Sequence, residues 1–152
     1  MQLSFDSDVE EFRAEFVAFL EDNLPDESEA AERAHSSADV PEWARRWQRT
    51  QFDHGWLLPA NPPEFGGRNA TILQQYVHLE ELSKRRIYHS FNPQGLGIIA
   101  ASLLSFGSEE QKKNWAIPIL RAEIPAALGM SEPGAGSDLA SLRTRAVLDG
   151  DH

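Results

Sequence analysis

The chain has 152 residues and a formal net charge of −10, from 24 acidic and 14 basic side chains, and it has no cysteine. This length suffices for one domain with a substantial core. Nucleic acid and anionic membranes are poor candidate ligands, because phosphate contacts require clustered lysine and arginine. The absence of cysteine excludes disulfides and thiolate metal sites and favours a reducing, cytoplasmic location. The five histidines lack metal-ligand spacing and no apolar run is long enough to span a membrane, so neither a metal nor a membrane is expected.

The first predicted helix is amphipathic and begins at a capping signal. Ser7 and Glu10 have the spacing of a capping box, and the helix should end near Asn23. Residues 25–40 are polar and acidic, which indicates a surface loop with a turn of helix around Glu29–Arg33. The apolar side chains expected on the buried face of the first predicted helix are Val9, Phe12, Phe16, Phe19 and Leu20.

The second predicted helix carries two tryptophans. It should begin at Pro41, a residue that suits the first helical position, and close near Gly55. Trp43 and Trp47 are four residues apart and therefore share one face. We expect them in the core, since packing is a commoner role for indoles than stacking on a ligand. Residues 56–67 contain three prolines, which excludes regular helix, and their apolar content predicts a loop that packs against the core.

The third predicted helix covers residues 71–86. Glu80 and Glu81 precede Lys84 and Arg85 at the spacing of favourable ion pairs, each worth a few tenths of a kcal/mol (about 0.2–0.5). Apolar residues cover most of one side, which predicts a well-buried helix. They are Ile72, Leu73, Tyr76, Val77, Leu79 and Leu82.

The fourth predicted helix contains no charged residue. It covers Gly95–Phe106, and a helix that is apolar all round is expected to be central. Gly107 should stop it. Ser108 and Gln111 then form a second predicted capping box, which starts a fifth helix that is broken or restarted at Pro118.

The periodicity changes after residue 125. Residues 126–130 and 142–148 are predicted strands, and residues 149–151 have the composition of a hairpin turn. The predicted division is therefore an all-α domain over 1–125 and the opening strands of a β domain over 126–152. Because two strands alone are marginal in water, we expect another chain or a longer polypeptide to complete the sheet.

A turn rich in serine, glycine and proline joins the two predicted strands. It covers Ser131–Asp138 and follows the short apolar run Leu128–Met130. Pro133, Gly134 and Gly136 favour a tight, open turn with free backbone N–H groups. Together with two serine hydroxyls, such groups could hold a polar or anionic cofactor edge. On composition alone, an ordinary strand-exit turn is the commoner reading.

Several segments in this order resemble the N-terminal half of an acyl-CoA dehydrogenase, a flavoenzyme that desaturates acyl-CoA thioesters. The resemblance covers essentially the whole chain, and its C-terminal part is similar to a bacterial branch that handles varied, often bulky, acyl groups. It implies a mainly α fold: an N-terminal helical, bundle-like domain followed by the first strands of a middle β-barrel domain. The matching segments are Gly55-Trp56 before Pro59, Pro63–Gly67, Glu80–Leu82, the uncharged helix ending at Gly107, Ser108–Lys113 and Ser131–Asp138.

The resemblance implies that FAD is the cofactor. Leu128 and Met130 would lie beside the flavin, and the hydroxyl of Ser131 would bond the ring around N5 and O4. Gly136 belongs to the same cofactor-binding turn, and Ser137 would meet the FAD pyrophosphate or the phosphates of acyl-CoA. Residues that match the lining of the acyl tail are Ser90, Phe91, Gln94 and Ile98.

The acidic residues of the turn are expected to be structural, since a carboxylate would repel a phosphate; Asp138 should cap the turn, and Glu132 should be structural too. In the family, a Glu on the C-terminal domain removes the α proton while hydride passes to flavin N5, and no residue here corresponds to it. We therefore expect no catalytic residue in this chain, and neither activity nor firm FAD binding from the chain alone. Family partners would be acyl-CoA, an electron-transfer flavoprotein or similar acceptor, and further subunits of a homo- or hetero-oligomer. The alternative is a non-catalytic partner subunit or interaction module of a larger complex.

Overall fold

The computed structural model describes residues 5–30, 39–87 and 92–150. These residues are mainly helical, as predicted. The α-helices are α1 (Ser7–Asn23), α2 (Glu27–Ala30), α3 (Glu42–Asp53), α4 (Ile72–Lys84), α5 (Ala101–Phe106), α6 (Glu109–Gln111) and α7 (Ile117–Leu120), with π-helical turns over Gly95–Ala100 and Lys112–Ala116 and 3-10 turns over Pro63–Phe65 and Leu139–Ser141.

An aromatic core joins α1 and α4 around Trp56. The Trp56 ring is buried, and its centroid lies 5.0 Å from the ring of Phe12 and 4.8 Å from that of Phe16. Phe16 in turn packs on His78 of α4 with 4.3 Å between ring centroids. Burying one such ring contributes about 3 kcal/mol, so this aromatic core is a main source of stability.

Helix α3 adds its two tryptophans to the same region, as predicted. Trp43 and Trp47 are both buried, and the Trp47 ring lies 5.8 Å from that of Phe19 in a nearly parallel stack. The chain turns sharply just after α3, where Gly55 has φ +76°. Glycine adopts this left-handed conformation without the steric cost that other residues carry, so Gly55 closes this helix as expected.

The proline-rich loop over residues 56–67 packs down, as predicted. Leu57 is completely buried. The loop folds back on itself, and the backbone N–H of Asn69 donates to the carbonyl of Asn61 at 2.9 Å. A Cβ atom at Gly67 would lie 2.0 Å from that same carbonyl oxygen, so only glycine fits there.

A second, aliphatic core lies between this loop and the C-terminal helices. Gln48 of α3 connects the two parts, because its side-chain Nε2 donates to the carbonyls of Ile119 at 3.1 Å and Leu120 at 2.9 Å. The helical path reaches Pro118 through the π-helical turn Lys112–Ala116, and Pro118 lies in the first turn of α7, so the helix restarts there, which was one of the two predicted outcomes. The buried members of this core are Leu57, Leu96, Ala100, Ile119 and Leu120.

The helix starts confirm one predicted capping box and contradict the other. Ser108 accepts from the backbone N–H of Gln111 at 3.2 Å, and the reciprocal bond is also present. The box predicted at Ser7 is wrong: the first carbonyl acceptor of α1 is that of Asp6, which places Ser7 inside the helix. A capping box that the sequence analysis missed starts α4 at Thr71.

The predicted burial of α4 is confirmed for Val77 and Leu82 but wrong for its other four apolar residues. Ile72 is 83% exposed, and the face that meets α1 instead carries Val77, His78, Glu81 and Leu82. The two polar members of that face are accommodated because His78 hydrogen-bonds the carbonyl of Trp56 and Glu81 forms an ion pair with Arg13. The side chains of α4 that were expected in the core but are exposed are Ile72, Leu73, Tyr76 and Leu79.

The uncharged helix is one-sided, so its predicted central position is also wrong. Gly95, Leu96 and Ala100 are buried, whereas Ile98 is half-exposed and Phe106 is 91% exposed. One face of this helix therefore packs and the other lies open. Across residues 5–30, 39–87 and 92–150, every helix is too short or too polar to cross a bilayer.

The two predicted strands do not form. Residues 126–130 and 142–148 belong to no strand, and the β-pairing in the described chain is one isolated bridge between Glu132 and Ala135. A strand requires a partner for its backbone N–H and C=O groups, and the described residues provide none for these segments. The domain division at residue 125 stays a prediction.

Candidate functional site

The candidate site is the exposed turn over Ser131–Asp138. Its first half is a tight turn in which the backbone N–H of Glu132 donates to the carbonyl of Ala135 at 3.0 Å and the reverse bond measures 3.2 Å. Pro133 and Gly134 form the corner, as the sequence predicts. Ala135 is buried and anchors the turn.

Two serine hydroxyls of the turn have no hydrogen-bond partner among the residues that the structure describes. Ser131 and Ser137 are exposed, and within residues 5–30, 39–87 and 92–150 neither side chain makes a hydrogen bond. Gly136 lies next to the first hydroxyl: a Cβ atom placed there would be 3.9 Å from Oγ of Ser131. The turn therefore presents free donors beside an open glycine.

Backbone donors extend this surface on both sides of the tight turn. The N–H groups of Leu128, Met130 and Ser131, and those of Gly136 and Ser137, donate to no acceptor in the part of the chain that the structure describes. The side chain of Met130 is 71% exposed beside them. Neutral donors next to an apolar side chain suit a flat ring whose edge carries hydrogen-bond acceptors.

The carboxylate of Glu132 is used inside the turn. It accepts from the backbone N–H of Arg143 at 2.9 Å, from that of Thr144 at 2.6 Å, and from the hydroxyl of Thr144. The Thr144 hydroxyl, followed by the two backbone donors, lowers the pKa of this carboxyl below its usual value. Glu132 thus has a structural role, as expected from the sequence.

The expected cap at Asp138 is made by its backbone and not by its side chain. The carbonyl of Asp138 accepts from the N–H of Ser141 at 3.3 Å and from its hydroxyl at 2.9 Å. The Asp138 carboxylate makes no capping bond. Asp138 thus caps a short 3-10 turn, as predicted, and does so through its carbonyl.

The residues expected to line the acyl tail are only partly described. Ser90 and Phe91 lie outside the described residues, while Gln94 and Ile98 are exposed at the start of the uncharged helix. Among the described residues, no hydrogen bond joins either side chain to the turn. They remain predicted substrate-binding residues.

Asn92 connects these two regions and was missed by the sequence analysis. Its Oδ1 accepts from the N–H of Gly95 at 2.8 Å, and its Nδ2 donates to the carbonyl of Ala126 at 3.0 Å. It thereby ties the start of the uncharged helix to the segment that leads into the turn. The Asn92-Pro93 pair was the available signal, because it is typical of a helix start as well as of a turn.

A cluster of charges between α1 and α4 lies apart from the turn. The pairs predicted within α4 form, since Glu80 lies 3.3 Å from Lys84 and Glu81 lies 2.5 Å from Arg85. Arg13 of α1, which the sequence analysis missed, adds contacts of 2.5 Å to Glu80 and 2.6 Å to Glu81. Burial opposes ionisation of Glu81, but hydrogen bonds from its three cationic partners outweigh that effect and lower its pKa to about 2. The cluster is satisfied within the fold and joins two helices.

The described residues contain no cluster of side chains suited to bind a metal ion. No group of three or more His, Cys, Asp or Glu side chains in residues 5–30, 39–87 and 92–150 could hold an ion. The donor set of the turn, made of hydroxyls and backbone N–H groups, suits an organic cofactor with acceptor atoms. A flavin dinucleotide meets that requirement, through the ring edge and the pyrophosphate.

Comparison with known proteins identifies the family. The family model described as acyl-CoA dehydrogenase, N-terminal domain, matches residues 6–123. The chain is 30% identical over 152 residues to acyl-CoA dehydrogenase FadE26 and 34% identical over 150 residues to acyl-CoA dehydrogenase IpdE1, both of Mycobacterium tuberculosis. These alignments cover 99% and 95% of this chain, and 38% of each relative. The chain belongs to the acyl-CoA dehydrogenase family.

Solved structures agree. The Tcur3481-Tcur3483 steroid ACAD matches with a TM-score of 0.65 and 35% identity over 99% of this chain and 38% of that one. The ChsE4-ChsE5 complex from Mycobacterium tuberculosis matches with a TM-score of 0.66 and 30% identity over 99% of this chain and 37% of that one. The chain spans a little over a third of the length of the proteins it matches.

Proposed function

We propose that this chain is part of an FAD-dependent acyl-CoA dehydrogenase, which desaturates an acyl-CoA thioester between its α and β carbons. The observation that carries the proposal is the Ser131–Asp138 turn, where two exposed hydroxyls and several backbone N–H groups have no partner in the described chain. Membership of the family supplies the reaction class. A turn of unused donors in such a protein is best explained by a cofactor that accepts their hydrogen bonds.

Each donor has a proposed task. The hydroxyl of Ser131 bonds the flavin edge and Gly136 leaves room for the ring beside it. Ser137 donates to a phosphate of FAD or of acyl-CoA, and Leu128 and Met130 contact the ring. FAD, when bound, supplies the acceptor for the hydride that leaves the β carbon. Fixed donors of this kind stabilise developing negative charge without reorganising.

The remaining chemistry is assigned to groups beyond this chain. We propose that the carboxylate that takes the α proton lies outside these 152 residues, because none of the residues here matches it. Gln94 and Ile98, together with Ser90 and Phe91, are proposed to line the acyl tail. The likeness to a steroid ACAD supports a bulky acyl group, and an electron-transfer flavoprotein or similar protein is proposed to reoxidise the enzyme.

A second candidate function is that of a subunit paired with a different chain of the same family. The likeness to the ChsE4-ChsE5 complex favours it. In that arrangement the turn would complete a flavin site only within the assembled pair, or would persist without a cofactor. The two candidates differ in whether the protein holds FAD before it meets a partner.

Anaerobic reduction of the bound flavin tests the proposal. The full-length native protein is purified, its visible spectrum is recorded, and it is titrated with straight-chain and steroid side-chain acyl-CoA thioesters. We expect a bound flavin that bleaches with at least one thioester, and weaker FAD retention after Ser131→Ala but not after Ser83→Ala, an exposed serine of α4. A protein without flavin that acquires it only with a co-purifying family member favours the second candidate. A protein that never holds flavin contradicts both the proposal and the cofactor role of the turn.

A further inference from the structure

Glu132 closes a loop larger than the tight turn to which it belongs. Its backbone pairs with Ala135 in both directions, at 3.0 and 3.2 Å. Its side chain reaches residues 143 and 144, eleven and twelve positions along the chain, and accepts hydrogen bonds from two backbone N–H groups and one hydroxyl there. One residue therefore holds both the short turn and the segment that follows it.

The donors of the turn are attached directly to this double closure. Ser131 precedes Glu132 in the chain, and Gly136 and Ser137 follow its partner Ala135. The separation of the two serines is therefore set by the same bonds that Glu132 makes. The neighbouring position of Ser131 Oγ and Gly136 is a direct result of this arrangement.

Little else in the described chain could hold this loop in place. Ala135 is its buried residue, and the two serines are exposed. A loop with few buried apolar contacts lies at the low end of local stability. Hydrogen bonds from fixed backbone groups to a carboxylate are shorter and stronger than neutral ones, so the contacts of Glu132 determine the order of the loop far more than they determine the stability of the fold.

We infer that Glu132 is a positioning residue that holds Ser131 and Ser137 at the spacing required by FAD, with Thr144 as its partner. The inference rests on the flavin-binding role proposed for the turn. A carboxylate is needed because it presents acceptors to three donors at once, whereas an amide places an N–H group against them. The carboxylate is also turned towards those donors, so it does not oppose a phosphate at Ser137.

The test compares four variants of the full-length flavoprotein: Glu132→Gln, Thr144→Val, Thr144→Ser and, as a matched control, Glu110→Gln. Glu110 is exposed and makes no side-chain hydrogen bond or ion pair in the described chain. FAD affinity is measured by reconstitution of the apoprotein, and the position and fine structure of the visible flavin band are recorded beside the melting temperature. The flavin band reports the donors at the ring, which a change of global stability alone does not move.

We expect Glu132→Gln to weaken FAD binding about tenfold and to shift the flavin band, because an amide keeps one acceptor oxygen and turns an N–H group against the donors of residues 143 and 144. Thr144→Val should cause a smaller change of the same kind, Thr144→Ser should restore the wild-type values, and Glu110→Gln should equal wild type. In the double variant, which carries both Glu132→Gln and Thr144→Val, the fold-loss of FAD affinity should be smaller than the product of the two single losses, because the two residues share one bond. If Glu132→Gln does not fold, the Thr144 pair alone decides.

Wild-type affinity and spectrum in both Glu132→Gln and Thr144→Val would overturn the inference while leaving the proposed function intact. Equal losses in Thr144→Val and Thr144→Ser would also overturn it, because the retained hydroxyl should rescue the site. A wild-type protein that holds no FAD would instead refute the proposed function itself.

Discussion

The aromatic core and the Ser131–Asp138 turn are held by opposite means. In the aromatic core, Phe16 and Trp56 are almost inaccessible to solvent and their rings lie 4.8 Å apart. The turn is exposed and depends on hydrogen bonds to Glu132 and on one small buried residue, Ala135. The aromatic core is stabilised by the burial of apolar side chains. The turn is held by a few polar groups, and its serine hydroxyls and backbone N–H groups stay available to bind a ligand. Changes in the first should therefore alter stability, and changes in the second should alter binding.

The largest expected effect on stability comes from Trp56→Ala. Truncation of this buried ring removes its contacts with Phe12 and Phe16 and should cost about 3–5 kcal/mol. The matched control is Phe106→Ala, because Phe106 is 91% exposed and its truncation should change the free energy of unfolding by less than about 0.5 kcal/mol. Urea unfolding of both variants measures the difference, and equal losses would contradict the assignment of the core.

A smaller effect is expected from Glu81→Gln. At neutral pH the change should cost about 2 kcal/mol, because buried charged hydrogen bonds to cations are lost. The pKa of Glu81 falls from its usual 4.5 to about 2 in the folded protein, so its contribution is present above pH 4.5 and disappears as the pH falls towards 2. The gap in stability between wild type and Glu81→Gln should narrow over that range.

Denaturant unfolding at several pH values measures this gap, with Glu110→Gln as the control for an exposed carboxyl. A gap that stays constant from pH 7 to about pH 2 would show that ionisation of Glu81 does not stabilise the helix pair.

The smallest of the clear stability effects comes from the capping residue of α4. Thr71→Ala should cost about 1 kcal/mol, because its hydroxyl accepts from the backbone of Gln74 at 3.3 Å. Ser7→Ala should change stability by less than about 0.5 kcal/mol, because Ser7 is not the capping residue of α1. Thermal unfolding distinguishes the two, and a larger loss for Ser7→Ala would mean that the sequence-based assignment was correct after all.

The sequence predicts the helices better than it predicts which of their faces are buried. The spacing of Trp43 and Trp47 correctly indicates a shared buried face. The apolar residues of α4 also indicate a face, yet the side that packs on α1 includes His78 and Glu81, whose partners Trp56 and Arg13 are distant in the sequence. Helical periodicity identifies a face but not its partner.

Other differences between prediction and structure also have specific physical causes. Asp6 and Ser7 are both good helix caps, so composition cannot choose between them. The strand pattern over 142–148 is real, but a strand forms only when another strand pairs with it. In the turn, the resemblance to the family pointed to Ser131, Gly136 and Ser137, whose roles stay predictions, whereas the bond between Glu132 and Thr144 spans twelve residues and has no sequence pattern.

The most direct test of the cofactor role of the turn compares Gly136→Ala with Gly134→Ala. A methyl group at 136 would lie 3.9 Å from Oγ of Ser131, and one at 134 would meet nothing within 4 Å. Both changes should leave the melting temperature nearly unchanged, because neither glycine has a positive φ. In the full-length protein, Gly136→Ala should weaken FAD binding about tenfold, because the added methyl group takes space proposed for the flavin, and Gly134→Ala should bind FAD as wild type does. Equal FAD affinity in the two variants would contradict the claim that this turn forms one side of a flavin site.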